Sequence, residues 1–192
     1  MQYKKKYIND KILEAGLAEY LEKGYRQGNI SAIAQNAGVP VGNLYRYFDG
    51  KSGLLDALVK NVYTEIPKTV ERLANFDAQN GLSVEGAFLR LASSLADIFD
   101  SSGKEIIILV DKCGTTRYED FSEKTIEQVA NLVYDRLYND EQPFNRLMSR
   151  LMARAFVRSL FDILRLHLPR AEMQAMVLKT MKFYFYGIDA RK

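Results

Sequence analysis

The chain has very few of the residues that carry catalysis or covalent cross-links. Its 192 residues include one cysteine, one histidine and no tryptophan. Cys113 has no partner in the chain for a disulfide, and a lone cysteine is consistent with a reducing compartment. With His167 as the only histidine, there is no cluster at zinc-ligand spacing and no Cys-His or Ser-His nucleophile arrangement. We therefore expect no metal, no cofactor and no enzymatic activity, and we expect His167 to cap a helix.

Long apolar runs and glycine-rich loops are also missing. No stretch is long enough to span a bilayer, and the run Lys4–Lys6 is followed by mixed sequence, unlike a signal peptide. The glycines at 24, 28, 38 and 42 fall in separate turns and helix starts, unlike a loop that binds nucleotide phosphates. The expectation is a cytoplasmic protein with no membrane partner.

The net charge of +3 is unevenly distributed along the chain. Residues 1–60 carry nine Lys/Arg against six Asp/Glu, residues 61–142 eight against fifteen, and residues 143–192 ten against three. A basic N-terminal segment suits contact with phosphates, whereas the acidic middle segment discourages contact with DNA and tolerates a cation. Ordinary solvated helix faces are the preferred explanation of the acidic middle segment.

The most informative segment is 29–51, NISAIAQNAGVPVGNLYRYFDGK, which predicts two short helices joined by a tight turn. Ile30, Ile33 and Ala34 follow helical spacing, and Asn29 before them is a good N-cap. Gly38 can take the positive φ that a sharp corner requires. Two helices joined in this way are typical of a DNA-binding helix-turn-helix.

The second of these helices has one packing face and one free face. Leu44 and Phe48 lie one turn apart on the packing face, whereas Gly42 and Arg46 point roughly the opposite way. The free face can enter the major groove of DNA.

These segments resemble the TetR (tetracycline repressor) family of bacterial transcription regulators. The resemblance covers some fifty residues and consists of Ile12–Ala15, Tyr20–Tyr25, Ile33–Ala34, Ala37–Val39, Gly42–Phe48, Lys51 and Leu54–Leu55. Beyond about Val62 it is only architectural. It implies an all-α fold of about nine helices, in which a three-helix DNA-binding domain precedes a helical domain for effector binding and dimerisation.

The resemblance also implies roles for individual residues. It places Gly42, Asn43, Tyr45, Arg46 and Tyr47 on DNA, with Ser31 at the edge of the same groove and Asn29 and Lys51 on phosphates. Lys51 and the free N–H groups of a helix start would form the phosphate site. Two positions depart from the family pattern. Pro40 replaces the usual Ser or Thr cap, and Val41, where a polar base contact is common, can touch a thymine methyl or pack under Leu44.

Hydrophobic spacing predicts helices through the rest of the chain. Gly24 is expected to end the first helix, and Asp49 or Ser52 to cap a fourth that kinks or ends at Pro67. After a polar break at 77–81, Ser83 would cap a fifth helix that ends at 101–103. Residues 106–110 could form a strand or, as preferred, a short buried helix. Further helices would run through 121–137, from Pro143, and after Pro169.

The last two predicted helices carry wide apolar faces. In the TetR family they pair with their copies in a second subunit, so a homodimer is implied, although the apolar faces could also belong to the subunit's own core. A homodimer would present two recognition helices to a near-palindromic DNA operator.

The helical domain is expected to bind an unidentified small molecule that releases the repressor from DNA. Candidate ligand contacts are Phe88, Leu91, Ile107, Val110, Asp111, Tyr118 and Tyr134. Asp111 could face a cationic ligand, although the preferred interpretation is that it caps a helix or forms a surface salt bridge with Lys112 or Arg117. The run Lys4–Lys6 could equally be a flexible arm that contacts DNA or a segment that only aids solubility.

The predicted domains are a DNA-binding domain at 1–50 and an effector-binding and dimerisation domain at 51–192. An alternative keeps the DNA-binding domain and makes the helical domain an adaptor that docks a protein partner instead of a small molecule.

Overall fold

The structure, a computed structural model, describes residues 2–75, 84–138 and 142–185. Helices are the only regular elements in these ranges, which confirms the predicted all-α class, although there are eight α-helices instead of about nine. They are α1 (Gln2–Gln27), α2 (Ile30–Asn36), α3 (Val41–Tyr47), α4 (Gly50–Asn75), α5 (Val84–Ile107), α6 (Phe121–Leu137), α7 (Pro143–Arg165) and α8 (Arg170–Phe185). A π-helical turn, Ile108–Lys112, continues α5.

The described residues form two compact units, which we call the N-unit and the C-unit. The N-unit lies within Met1–Thr64 and Lys104–Glu119, and the C-unit within Glu65–Gly103 and Asp120–Lys192. The predicted domain boundary at residue 50 concerns function and stays a prediction. In these ranges, no helix is both long enough and apolar enough to cross a bilayer.

The core of the N-unit joins α1, α2, α3 and the start of α4. Ile12, Ile33, Leu44 and Leu54, one from each of these helices, are completely buried. Burial of apolar side chains is the main favourable term in folding, so these four positions fix the helices against one another. The π-helical turn also packs on α1 in this unit.

The two ends of α1 compare differently with the predictions. At Gly24 the backbone leaves helical geometry with φ 74° and ψ 166°, so the first helix breaks at the predicted glycine, and a further helical turn follows to Gln27 across the kink. Residues 4–6 lie in the first turns of α1, because this helix begins at Gln2. These residues are thus helical instead of a flexible arm, one of the two equal interpretations, and contact of the three lysines with DNA stays a prediction.

Helix α4 runs without interruption from Gly50 to Asn75, so it does not end at Pro67. Ser52 is inside α4 and is not its cap, whereas Asp49 directly precedes the helix. The predicted polar break at 77–81 and the Ser83 cap lie outside the described residues.

Helix α5 breaks where the sequence predicts an end, at 101–103. Ser102, at φ −139° and ψ 16°, departs from helical geometry, so α5 consists of two helical pieces joined by a kink. Residues 106–110 lie in the second piece, which continues into the π-helical turn at Ile108, so they are helical and not a strand. Gly103, next to the kink, packs closely on α7, because a β-carbon there would lie 2.8 Å from Leu164 Cδ1.

The C-unit is organised around α7, which packs on both α6 and α8. Ala153, Val157 and Leu164 of α7 are buried with Val177 and Met181 of α8. The predicted limits of α6 and the N-terminal position of Pro143 in α7 are confirmed. His167 follows α7 with φ 50°, and its N–H donates to the Leu164 carbonyl, so its backbone closes the helix as a cap does.

Cys113, directly after the π-helical turn, is buried and its thiol is free. Burial raises the pKa of this thiol to about 11, against a smaller lowering by a hydrogen bond with Thr116. A thiol in this state is almost entirely protonated at neutral pH and is therefore a poor nucleophile.

Candidate nucleic-acid interface

The start of α2 is fixed by its predicted cap. The Asn29 side-chain oxygen accepts hydrogen bonds from the N–H groups of Ser31 at 2.8 Å and Ala32 at 3.3 Å. These bonds satisfy two of the donors that a helix start leaves unpaired. Ser31 and Asn29 are both exposed, so they are also placed where a nucleic acid could reach them.

A buried carboxylate that the sequence analysis missed supports this corner. Glu19 is only 3% exposed, and its Oε1 accepts the Asn29 N–H at 3.0 Å while Lys23 Nζ lies within 3.0 Å of both carboxylate oxygens. Burial raises the pKa of Glu19, but the hydrogen bonds from Lys23 and Asn29 outweigh it and hold the pKa below its ordinary value. Glu19 and Lys23 have i, i+4 spacing, which is visible in sequence, but the bond to Asn29 needs the folded turn.

The turn between α2 and α3 has the geometry that its sequence predicts. Gly38 takes φ 67°, and its N–H and that of Val39 donate to the carbonyls of Gln35 and Ala34, each at 3.0 Å. A positive φ strains any residue with a β-carbon, whereas glycine adopts it freely. Ala37, buried beside it, anchors the turn to the core.

Helix α3 has the two predicted faces. Leu44 and, directly after the helix, Phe48 are buried. Gly42, Tyr45 and Arg46 are exposed, with 60% of Tyr45 accessible. Packing of the buried face fixes α3 in place, so the side chains of the exposed face project from a rigid helix toward solvent.

The remaining predicted base contacts border this face. Asn43 and Tyr47 are half-buried. Val41 is 38% exposed, and both its contact with a thymine methyl and its packing under Leu44 stay predictions. Pro40 makes no side-chain cap, and in its place its carbonyl accepts the Asn43 N–H at 2.9 Å.

Lys51 already has partners within the N-unit. Its Nζ donates to the Arg26 carbonyl at 3.0 Å and lies 4.8 Å from the centre of the Tyr25 ring. Tyr20 in turn donates its hydroxyl to the Lys51 carbonyl at 3.0 Å. Desolvation lowers the pKa of Lys51 from its ordinary value, opposed by the negative charge of Glu19. An ammonium group has three donors, so these contacts leave room for the predicted phosphate contact.

The candidate effector residues fall in both units. Phe88, Leu91 and Tyr134 belong to the C-unit. The other four, Ile107, Val110, Asp111 and Tyr118, belong to the N-unit. Asp111 is exposed, whereas Tyr118 is buried and hydrogen-bonds Asp56. Their assignment to an effector site stays a prediction.

Comparison with known proteins agrees with this geometry. Residues 12–58 match the family described as bacterial regulatory proteins, tetR family. The chain is 36% identical over 66 residues to the probable HTH-type transcriptional regulator YttP of Bacillus subtilis, a match that covers 34% of this chain and 32% of that protein. The chain therefore spans about a third of the length of that relative.

Solved structures resemble the chain over nearly its whole length. A TetR-family transcriptional regulator from Bordetella parapertussis matches with a TM-score of 0.69 at 17% identity, covering 93% of this chain and 94% of that one. NalD, described as the secondary repressor of the MexAB-OprM multidrug efflux pump in Pseudomonas aeruginosa, matches with a TM-score of 0.58 at 22% identity. That match covers 95% of this chain and 97% of NalD. At these identities the likeness establishes the fold.

Proposed function

We propose that this chain, a member of the TetR family by its N-terminal DNA-binding domain, is a sequence-specific transcriptional regulator that binds a near-palindromic operator as a homodimer. The observation that carries the proposal is the exposed face of α3, where Gly42, Tyr45 and Arg46 stand above the buried Leu44. A rigid helix with an exposed polar and aromatic face suits the major groove, which admits an α-helix.

The contacts divide into two classes. Base edges would be read by α3, through Val41, Gly42, Asn43, Tyr45, Arg46 and Tyr47. Phosphates would be held by Asn29 and Lys51, with Ser31 at the edge of the groove. Phosphate contacts set position and base contacts set sequence preference, so the two classes have distinguishable effects on binding.

Exposed apolar residues on α7 and α8 support the homodimer. Phe144 is 67% exposed and Phe183 is 78% exposed, and Leu151 and Met176 are also accessible. Phe144 and Leu151 have i, i+7 spacing, which places them on one side of α7. Exposed apolar residues along one side of a helix mark an interaction surface, and a second copy would cover this one. Two linked copies would also read two half-sites, since one recognition helix reads only a few base pairs.

Regulation would proceed by release from DNA. NalD, which shares the fold, is a repressor, and this likeness supports repression as the mode of action. An unidentified small molecule that binds the C-terminal helices more tightly in the DNA-free conformation would lower operator affinity. Helix α4 is a continuous element that begins at the DNA-binding end and extends from the N-unit into the C-unit, so it is the candidate lever.

The proposal is tested by selecting DNA sequences from a random pool with the full chain. We expect an enriched sequence with two-fold symmetry and tight, salt-dependent binding. Arg46→Ala should weaken binding to that sequence strongly, whereas Lys104→Ala, which removes an exposed cation of α5, should not. Failure to enrich any sequence, or equal effects of the two variants, would contradict the proposal.

A further inference from the structure

A cleft lies between α6 and α7 in the C-unit, away from every residue assigned above to DNA. Its volume is about 220 Å³. It is lined by Glu127, Ala130, Asn131, Tyr134, Arg146, Leu147 and Arg150. Ala130 and Tyr134 are buried, whereas the two arginines and Leu147 are exposed. The cleft thus combines a buried apolar part with charged groups that solvent can reach.

Arg146 lies over an aromatic ring at this cleft. The carbon of its guanidinium group is 4.5 Å from the centre of the Tyr134 ring. A cation over an aromatic face is attracted to the ring, and a guanidinium group has five N–H donors for other partners. Within the ranges that the structure covers, Arg146 has no carboxylate partner. The N–H donors of Arg146 are thus available to an anion that enters the cleft.

The neighbouring charges leave the cleft with a positive excess. Arg150 Nε lies 3.4 Å from Glu127 Oε2. Glu123 is bound more closely by Arg154, at 2.8 Å, than by Arg150, at 3.9 Å. The lining therefore contains two arginines and one carboxylate. The Asn131 side chain, which is exposed, also lines the cleft and can supply a further donor.

We propose that this cleft binds a small organic monoanion, with its carboxylate paired to Arg146 and its apolar body against the buried Ala130. A guanidinium fork matches the two oxygens of a carboxylate, and one negative charge neutralises the excess of the lining. The volume is below the range of about 300–1,000 Å³ that takes drug-sized ligands, so the ligand is compact. The site uses none of the residues proposed to contact DNA, so the test of this site and the test of operator binding can fail separately.

The test uses the DNA-free full chain and sodium benzoate as the probe, followed by ligand-observed NMR. Benzamide, which has the same shape without the charge, is the matched compound. We expect benzoate to bind in the millimolar range and benzamide to bind at least about tenfold more weakly, since the carboxylate carries the recognition. No detectable benzoate binding, or equal binding of the two compounds, would overturn the proposal.

Variants then locate the site. Arg146→Gln should weaken benzoate binding at least about tenfold, and Arg146→Lys should lie between it and the unmodified chain because it keeps the charge without the fork. Arg158→Gln, at an exposed arginine three turns further along α7, is the matched control and should leave binding unchanged. Arg146 is exposed, so all three variants should keep the melting temperature of the parent. The proposal is wrong if Arg146→Gln binds benzoate normally, or if Arg158→Gln weakens binding as much as Arg146→Gln.

Discussion

The Tyr118 hydroxyl donates a 2.8 Å hydrogen bond to Asp56 Oδ1, joining residues that are 62 positions apart in sequence. Arg117 Nη2 lies 2.7 Å from the other oxygen of the same carboxylate. The Tyr118 ring also meets the ring of Tyr63 edge-on, with 5.0 Å between centroids. Asp56 and Tyr63 belong to α4, so the loop after the π-helical turn is attached to α4 by a charge-assisted network.

Replacement of Tyr118 by phenylalanine should destabilise the protein. The variant keeps the ring contact but leaves one oxygen of Asp56 without its donor, at a cost of about 1–2 kcal/mol in the free energy of unfolding. Urea denaturation measures this change. Tyr45→Phe is the control, because Tyr45 is exposed and should change stability little. Equal stability of Tyr118→Phe and the parent would show that the bond contributes nothing.

The contribution of Glu19 should depend on pH. Its pKa in the folded protein lies below the ordinary value of 4.5, so its stabilisation is fully present above about pH 5 and is lost as the pH falls through the folded-state pKa. Glu19→Gln should therefore cost about 2 kcal/mol at pH 7, and the difference from the parent should shrink below about pH 4. Chemical denaturation across this range measures it. Glu14→Gln, at an exposed position of α1, should show no such trend, and a pH-independent effect of Glu19→Gln would contradict the assignment.

Gly38→Ala should destabilise the helix-turn-helix. At φ 67° a β-carbon costs about 1–2 kcal/mol, although no atom lies within 4 Å of the added carbon. Gly114→Ala is the control for the added methyl group itself. At Gly114, too, no atom lies within 4 Å of the added carbon, but the backbone does not have a positive φ. Thermal melting should show a lower midpoint for Gly38→Ala alone. A matching loss in both variants would mean that backbone conformation is not the cause.

Asn43→Ala and Lys51→Ala should affect DNA binding differently. Loss of a base contact at Asn43 should remove about 1–3 kcal/mol of discrimination at one base position, whereas loss of the Lys51 contact should weaken all sequences alike and lower the salt dependence. Fluorescence anisotropy with the selected operator and its single-base variants distinguishes the two outcomes. If both variants bind as the parent does, this face of α3 is not the DNA contact.

Leu151→Glu should dissociate the proposed homodimer. A carboxylate placed on the exposed apolar side of α7 would be buried without a partner if two copies pair there. Sedimentation velocity should then report a monomer. Leu89→Glu makes the same change at an exposed leucine of α5 and should leave the dimer intact. If Leu151→Glu remains a dimer, the interface does not include this side of α7.

The helix-turn-helix could be predicted closely because its signals are local. The Asn29 cap, the Gly38 turn and the spacing of Leu44 to Phe48 each act within a few residues, and the structure places all three as expected. Hydrogen bonds and backbone conformations of this short range are determined by neighbouring residues in sequence.

Features that depend on distant contacts could not be predicted in this way. Ser102 and Gly103 indicated a helix end, and the structure kinks there, but the close approach of Gly103 to Leu164 arises only in the fold. Glu19 has the pattern of a solvated i, i+4 pair, and only the fold brings the Asn29 N–H to it. Local propensity is a weak guide wherever tertiary packing supplies more free energy than the local preference.

The buried thiol of Cys113 gives the chain a natural reporter of local opening. Because this is the only cysteine in the sequence, an alkylating reagent has one possible target. The thiol is inaccessible and protonated in the closed protein, so modification requires an opening event near the π-helical turn. The rate of alkylation, measured with and without operator DNA, would therefore report how often this segment opens. No label has to be introduced for this measurement.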